Sequence, residues 1–164
     1  MKNYKLLIIS LLTAITAASC VKDNKDEEIL PPEIEILAPW YCDTIYFDEE
    51  VTYRFRVTDK SGVGLGNFSM DIHNNFNHHS HGSHISCDMD PQKDPVHPFE
   101  EVWIESLPDD QSDYLLEMDI TIPLMKDDEH EHDQGDYHFH IYITNAEGYQ
   151  TFTSFDIKLL KRED

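Results

Sequence analysis

Gly135-Asp-Tyr-His-Phe-His-Ile-Tyr-Ile-Thr-Asn-Ala-Glu-Gly148 is the stretch from which the fold is read. Tyr137, Phe139, Ile141 and Ile143 alternate with His138, His140, Tyr142 and Thr144, and period-two alternation marks a strand with one buried face. Asn145-Ala-Glu-Gly148 has the residues of a tight turn, and residues 151–159 alternate again. Together they predict a hairpin with the aromatic and aliphatic set inward and His138 and His140 outward.

Working outward, the same alternation recurs over residues 33–37, 44–47, 51–58, 67–73, 101–105 and 114–122. Turn residues separate these runs: Pro39, Asp59-Lys-Ser-Gly62, Pro108-Asp-Asp110 and Gly135-Asp136. No stretch keeps a helical period over three turns. Such spacing in one domain-sized chain predicts an all-β, antiparallel β-sandwich of about seven to eight strands over residues 33–164.

The 135–148 stretch resembles the penultimate strand and hairpin of an immunoglobulin-like module, with Gly-x-Tyr opening the strand and Asn-x-x-Gly turning out of it. Thr58-Asp-Lys-Ser-Gly-Val-Gly64 is similar to an earlier turn of the same module. That resemblance implies that the strands 67–73 and 137–144 are antiparallel neighbours in one sheet. In the 67–73 strand Phe68, Met70 and Ile72 then point inward, and Ser69, Asp71 and His73 outward.

Histidine is the residue this chain uses unusually. Five of its ten histidines, His73, His78, His79, His81 and His84, fall within twelve residues without an intervening Lys or Arg. Neutral imidazole offers a nitrogen lone pair to borderline ions such as Zn2+, Cu2+ or Ni2+. The pairing of strands predicts His73 beside His138 and His140. The loop leaving the first strand carries His78, His79, His81 and His84, and the loop entering the second carries His130 and His132 among acids. Nine histidines are therefore expected on one rim, with His97 left out. His73, His138 and His140 would make a three-nitrogen face, the fourth position falling to His78, His81, His84 or water. Zn2+ is the expected ion, with Cu2+ or Ni2+ as alternatives. Binding by neutral imidazole is expected to weaken as pH falls through the ordinary His range near 6.5.

The N-terminus reads as a leader rather than as fold. Lys2 and Lys5 precede an apolar run to Ala18 that is too short for an ordinary membrane span, and Ala17-Ala18-Ser19-Cys20 follows. Residues 1–19 resemble a bacterial lipoprotein signal, which implies cleavage before Cys20 and lipidation of its sulfur. Residues 20–32, charged and without apolar periodicity, read as a tether. Their Lys and acidic run resembles the surface-export signal of Bacteroidota lipoproteins, implying an outer-membrane, cell-surface location. As a whole the chain resembles a family of Bacteroidota surface lipoproteins of unknown function. These carry an Ig-like domain and an Ile-His…His-His-x-His-Gly segment, here Ile72-His73 and His78-His79-Ser80-His81-Gly82.

Charge narrows the function classes. Without the leader, ten Lys and Arg face thirty-three Asp and Glu, a formal charge of −23. Such a surface repels nucleic acid and anionic headgroups and concentrates cations. The two remaining cysteines, Cys42 and Cys87, are expected to form a disulfide in an exported protein. The alternative makes Cys87 a thiolate ligand three residues from His84. Glu129-His-Glu-His132 lacks the spacing of His-Glu-x-x-His, so no enzyme activity is expected. The leading reading is capture, buffering or hand-over of a divalent metal, with an outer-membrane receptor or transporter as a candidate partner. The alternative is an adhesion or accessory module in which metal only orders a loop.

Overall fold

Alternation of apolar and polar residues becomes eight strands in the computed structural model, which describes residues 29–79 and 87–163. In chain order they are β1 (Glu33–Ala38), β2 (Thr44–Tyr46), β3 (Glu50–Thr58), β4 (Leu65–Asn74), β5 (Glu101–Ser106), β6 (Asp113–Thr121), β7 (Gly135–Asn145) and β8 (Gln150–Leu160). They form two sheets, ordered β1-β3-β6 and β2-β8-β7-β4-β5. Every pairing is antiparallel except that of β2 with β8. The expected sandwich is present, and its first strand region is divided between the sheets: residues 33–38 pair with β3, while 44–46 cross over to β8.

The core lies between the sheets where the inward sets meet. Tyr53, Phe55 and Val57 of β3 face Phe68, Met70 and Ile72 of β4 and Tyr137, Phe139, Ile141 and Ile143 of β7, all buried. Aromatic pairs cross the interface, Tyr53 stacking on Phe139 with ring centres 5.5 Å apart and Phe55 tilted on Phe68 at 5.1 Å. Fully burying each such side chain is worth about 1.5–3 kcal/mol. Tyr137 adds a polar tie, since its hydroxyl donates to Asp133 O at 2.6 Å and accepts from Phe99 N–H at 3.2 Å. Burial pushes the Tyr137 phenol well above its ordinary range, so it stays a neutral donor.

Two turns fix one end of the sandwich. In the β3–β4 turn the buried Asp59 carboxylate accepts from Ser61 Oγ (2.5 Å), Ser61 N–H (3.2 Å) and Gly64 N–H (3.0 Å). Gly64 itself has φ +91°, and a Cβ there would stand 2.1 Å from Asp109 O, so glycine is required. In the β7–β8 turn Asn145 Oδ1 accepts from Glu147 N–H and Tyr149 N–H. The N-terminal segment reaches this same end, Leu30 O accepting from Asn145 Nδ2 at 3.2 Å and Pro32 O from Thr151 Oγ1. The opposite end carries the long β4–β5 connection. Cys42 and Cys87 are joined by a disulfide with Cα atoms 5.4 Å apart, so Cys87 is not a thiolate ligand. The bond ties that connection to the segment before β2, where Cys42 N–H donates to Asp156 O of β8 at 2.8 Å.

Candidate metal centre

Strand register places the histidines. β4 pairs β7 with His73 opposite His138 and Asp71 opposite His140, and β7 pairs β8 with His138 opposite Asp156 and His140 opposite Ser154. Directly opposed side chains have Cβ atoms about 4.5–5.5 Å apart. Two transverse rows result on the outer face of the five-stranded sheet, His73–His138–Asp156 and Asp71–His140–Ser154.

The rings are in mutual contact. His73 lies edge-on to His140 with ring centres 4.4 Å apart and tilted to His138 at 5.6 Å. His138 and His140 are 5.8 Å apart. Asp71, His73 and His140 each offer a ligand atom, all within 4.8 Å of one another. Asp71 Oδ1 takes His73 Nδ1 at 2.8 Å, and its Oδ2 lies 3.9 Å from His140 Nδ1. A second carboxylate, Asp156 Oδ1, lies 2.5 Å from His138 Nδ1. A carboxylate on one nitrogen of an imidazole fixes the ring and directs the other nitrogen outward, as it does around metal ions.

One loop histidine folds back over this face. His79 Nε2 is 3.5 Å from His73 Nε2, and the two rings stack with centres 5.6 Å apart. Ligand nitrogens at about 2.0–2.1 Å from a tetrahedral ion are separated by little less than this. The His79 carbonyl accepts from His138 Nε2 at 2.9 Å. This roof explains a departure from the outward, exposed pair expected in β7. His138 and His140 do lie on the outer face, yet they are only 2% and 6% exposed. Neighbouring β4 and β8 side chains flank them, and His79 covers His138.

The other sequence candidates lie elsewhere. His78 takes a left-handed backbone with φ 58°, and its Nε2 lies 2.8 Å from Asp90 O. His132 packs between Phe47 and Phe99, with ring centres 6.3 and 5.2 Å away, and its Nδ1 lies 3.2 Å from His97 O. His130 sits with Asp127, Nδ1 to Oδ1 2.8 Å. His81, His84 and Cys20 lie outside the described residues. The sheet group gains Asp71 as a possible ligand and Asp156 as a ring-orienting carboxylate. The alternation that put His73 outward already placed Asp71 on the same face. Asp156 emerges only from the β7–β8 register.

A concavity of about 830 Å³ opens beside the group, its lining including Asp71, His73, His79, Lys93, Asp94 and Glu101. The chemistry such a group supports is cation coordination by imidazole and carboxylate, with solvent access from one side.

An Ig-like β-sandwich with a His/Asp cluster on its larger sheet defines the class of protein. The chain belongs to the family described as a domain of unknown function, DUF4625, which matches residues 18–160. Solved structures similar to it include the PKD domain of an M14-like peptidase from a Thermoplasmatales archaeon. That likeness has 12% identity and a TM-score of 0.44, covering 82% of this chain and 100% of that one. Another is the CARDB domain of the PF1109 protein from Pyrococcus furiosus in complex with di-metal ions. There the identity is 13% and the TM-score 0.41, with 82% of this chain and 98% of that one covered. Among curated proteins none matches the sequence.

Proposed function

We propose that this protein is a cell-surface lipoprotein that binds a divalent transition metal, Zn2+ first and Cu2+ or Ni2+ as alternatives, for capture, buffering or hand-over. The observation that carries the reading is the Asp71, His73 and His140 group on one sheet face, its ligand atoms within 4.8 Å of one another. His79 reaches the same group from the β4–β5 loop. Three imidazoles and a carboxylate are a donor set suited to tetrahedral Zn2+. The ion is bound rather than used in turnover, so no enzyme activity is assigned.

Lipidation at Cys20 and an outer-membrane location are supported by the leader in residues 1–19 and the cysteine directly after it. The N-terminal residues Leu30 and Pro32 bond to the end of the sandwich opposite the histidines. An anchor there holds the metal face away from the membrane, toward a receptor or transporter that takes the ion over. The net negative charge raises the local cation concentration.

The test is elemental analysis of the chain purified without affinity tag or chelator, followed by zinc titration. One ion bound tightly per chain is expected, lost in the Asp71→Ala/His140→Ala double variant. Equal affinity in that variant refutes the site. A second reading, an accessory interaction module in which the metal only orders the β4–β5 loop, is favoured by edge strand β5. Its Val102 and Ile104 are 59% and 70% exposed. That reading predicts a metal-dependent rise in melting temperature with weak, readily reversed metal binding and a protein or glycan partner.

A further inference from the structure

His97, which the sequence pattern leaves aside, meets a histidine from another loop. The His97 and His130 rings are tilted on one another with centres 4.5 Å apart. They are carried by different connections, β4–β5 and β6–β7, and each is held from behind. Asp133 Oδ2 accepts from the N–H groups of Val96 and His97 at 2.7 Å each, and His97 O accepts from Asp133 N–H at 2.9 Å. Asp127 Oδ1 accepts from the N–H groups of Glu129 and His130 at 2.9 Å and lies 2.8 Å from His130 Nδ1.

Two features point to a ligand. His97 Nδ1 is buried and has no hydrogen-bond partner among the described residues, an expensive state for a polar atom unless something else satisfies it. Asp127 on His130 Nδ1 repeats the carboxylate–imidazole arrangement that turns the far nitrogen toward an ion. With metal–nitrogen bonds of about 2.0–2.1 Å, rings 4.5 Å apart are within the span of one ion.

We infer that His97 and His130 form a second transition-metal site, separate from the sheet group, in which two imidazoles hold the ion and water completes its shell. It joins the two long connections at the end of the sandwich away from the N-terminus. With two protein ligands against the four of the sheet site, its affinity for Zn2+ is at least tenfold the weaker.

Equilibrium dialysis of the full chain against Zn2+, with metal counted by atomic absorption, tests the assignment. Two ions per chain are expected, falling to one in His97→Ala/His130→Ala with the tighter constant unchanged. In Asp71→Ala/His140→Ala the weaker ion remains and the tighter one is lost, which separates this site from the sheet site. Saturation of the wild type at one ion removed by the sheet variant overturns the inference. So does an unchanged binding curve in the His97/His130 variant. If that variant does not fold in chelator, modification of the wild type by diethyl pyrocarbonate decides. Zn2+ protecting His130 supports the site, and equal modification with and without Zn2+ overturns it.

Discussion

Replacing both Cys42 and Cys87 by serine removes the covalent tie between the β4–β5 connection and the segment before β2 without adding thiols that could themselves take metal. The closed loop spans a sequence separation of 45. The chain-entropy relation gives about 3 kcal/mol for a 15-residue loop and about 4.7 for 100 residues, hence about 4 kcal/mol here. Single domains have about 5–15 kcal/mol of stability in all, so the variant keeps its fold with a much reduced margin. At an m-value of about 2 kcal/mol per molar urea the midpoint falls by about 2 M. The same change lengthens the untethered stretch carrying His78 and His79: the β4–β5 connection is divided near its middle by Cys87, and freeing it doubles its effective length. Doubling a loop costs about 0.6 kcal/mol, so zinc affinity falls about threefold through the looser His79. Equilibrium urea denaturation by circular dichroism, paired with zinc titration, measures both effects. A midpoint shift corresponding to less than about 1 kcal/mol would refute the reasoning, because the tie would then constrain nothing that the β-ladders do not already constrain.

Tyr53 lies between the sheets with its hydroxyl buried and without a hydrogen-bond partner among the described residues. Tyr53→Phe should therefore raise stability by about 1 kcal/mol in urea denaturation. Asp59→Ala strands the N–H groups of Ser61 and Gly64 and should cost about 1–3 kcal/mol at neutral pH. Burial pushes the Asp59 carboxyl up, but the hydrogen bonds from Ser61 and Gly64 outweigh it and hold the carboxyl below its ordinary range. The carboxylate's stabilisation is thus complete above the ordinary Asp value of about 3.9 and is lost as pH falls through the lower folded value. The gap between wild type and variant should close there in acid-unfolding curves. Asp71→Asn preserves shape and keeps an oxygen that can accept from His73 Nδ1, but it removes the anionic ligand and the charge behind the ring, and should weaken Zn2+ binding about 10–100-fold with little change in melting temperature without metal.

Period-two alternation was sufficient for the strands, because a half-buried strand has only one way to hide Tyr137, Phe139, Ile141 and Ile143. Pairing of β4 with β7 then followed from the immunoglobulin-like order, and with it the meeting of His73, His138 and His140. Burial of His138 and His140 was not legible. It depends on the β4–β5 connection folding back over the sheet, and an irregular connection leaves no period in the sequence. His97 was missed for the same reason, since its neighbour His130 belongs to another loop and the contact is set by Asp133 and Asp127 capping backbone N–H groups. The division of the first strand region between sheets was equally hidden, because alternation over residues 44–47 marks a strand without saying which sheet it joins.

The N-terminal segment enters at the β7–β8 turn and continues straight into β1, whose partners run from Thr58 to Arg54 along β3. Antiparallel ladder bonds lie perpendicular to the strands. A pull delivered through that segment along β1, against a load held at the far end of the sandwich, therefore strains these bonds side by side in shear instead of opening them one after another. Pulled from its N-terminus, the domain would thus resist through the whole β1–β3 ladder at once.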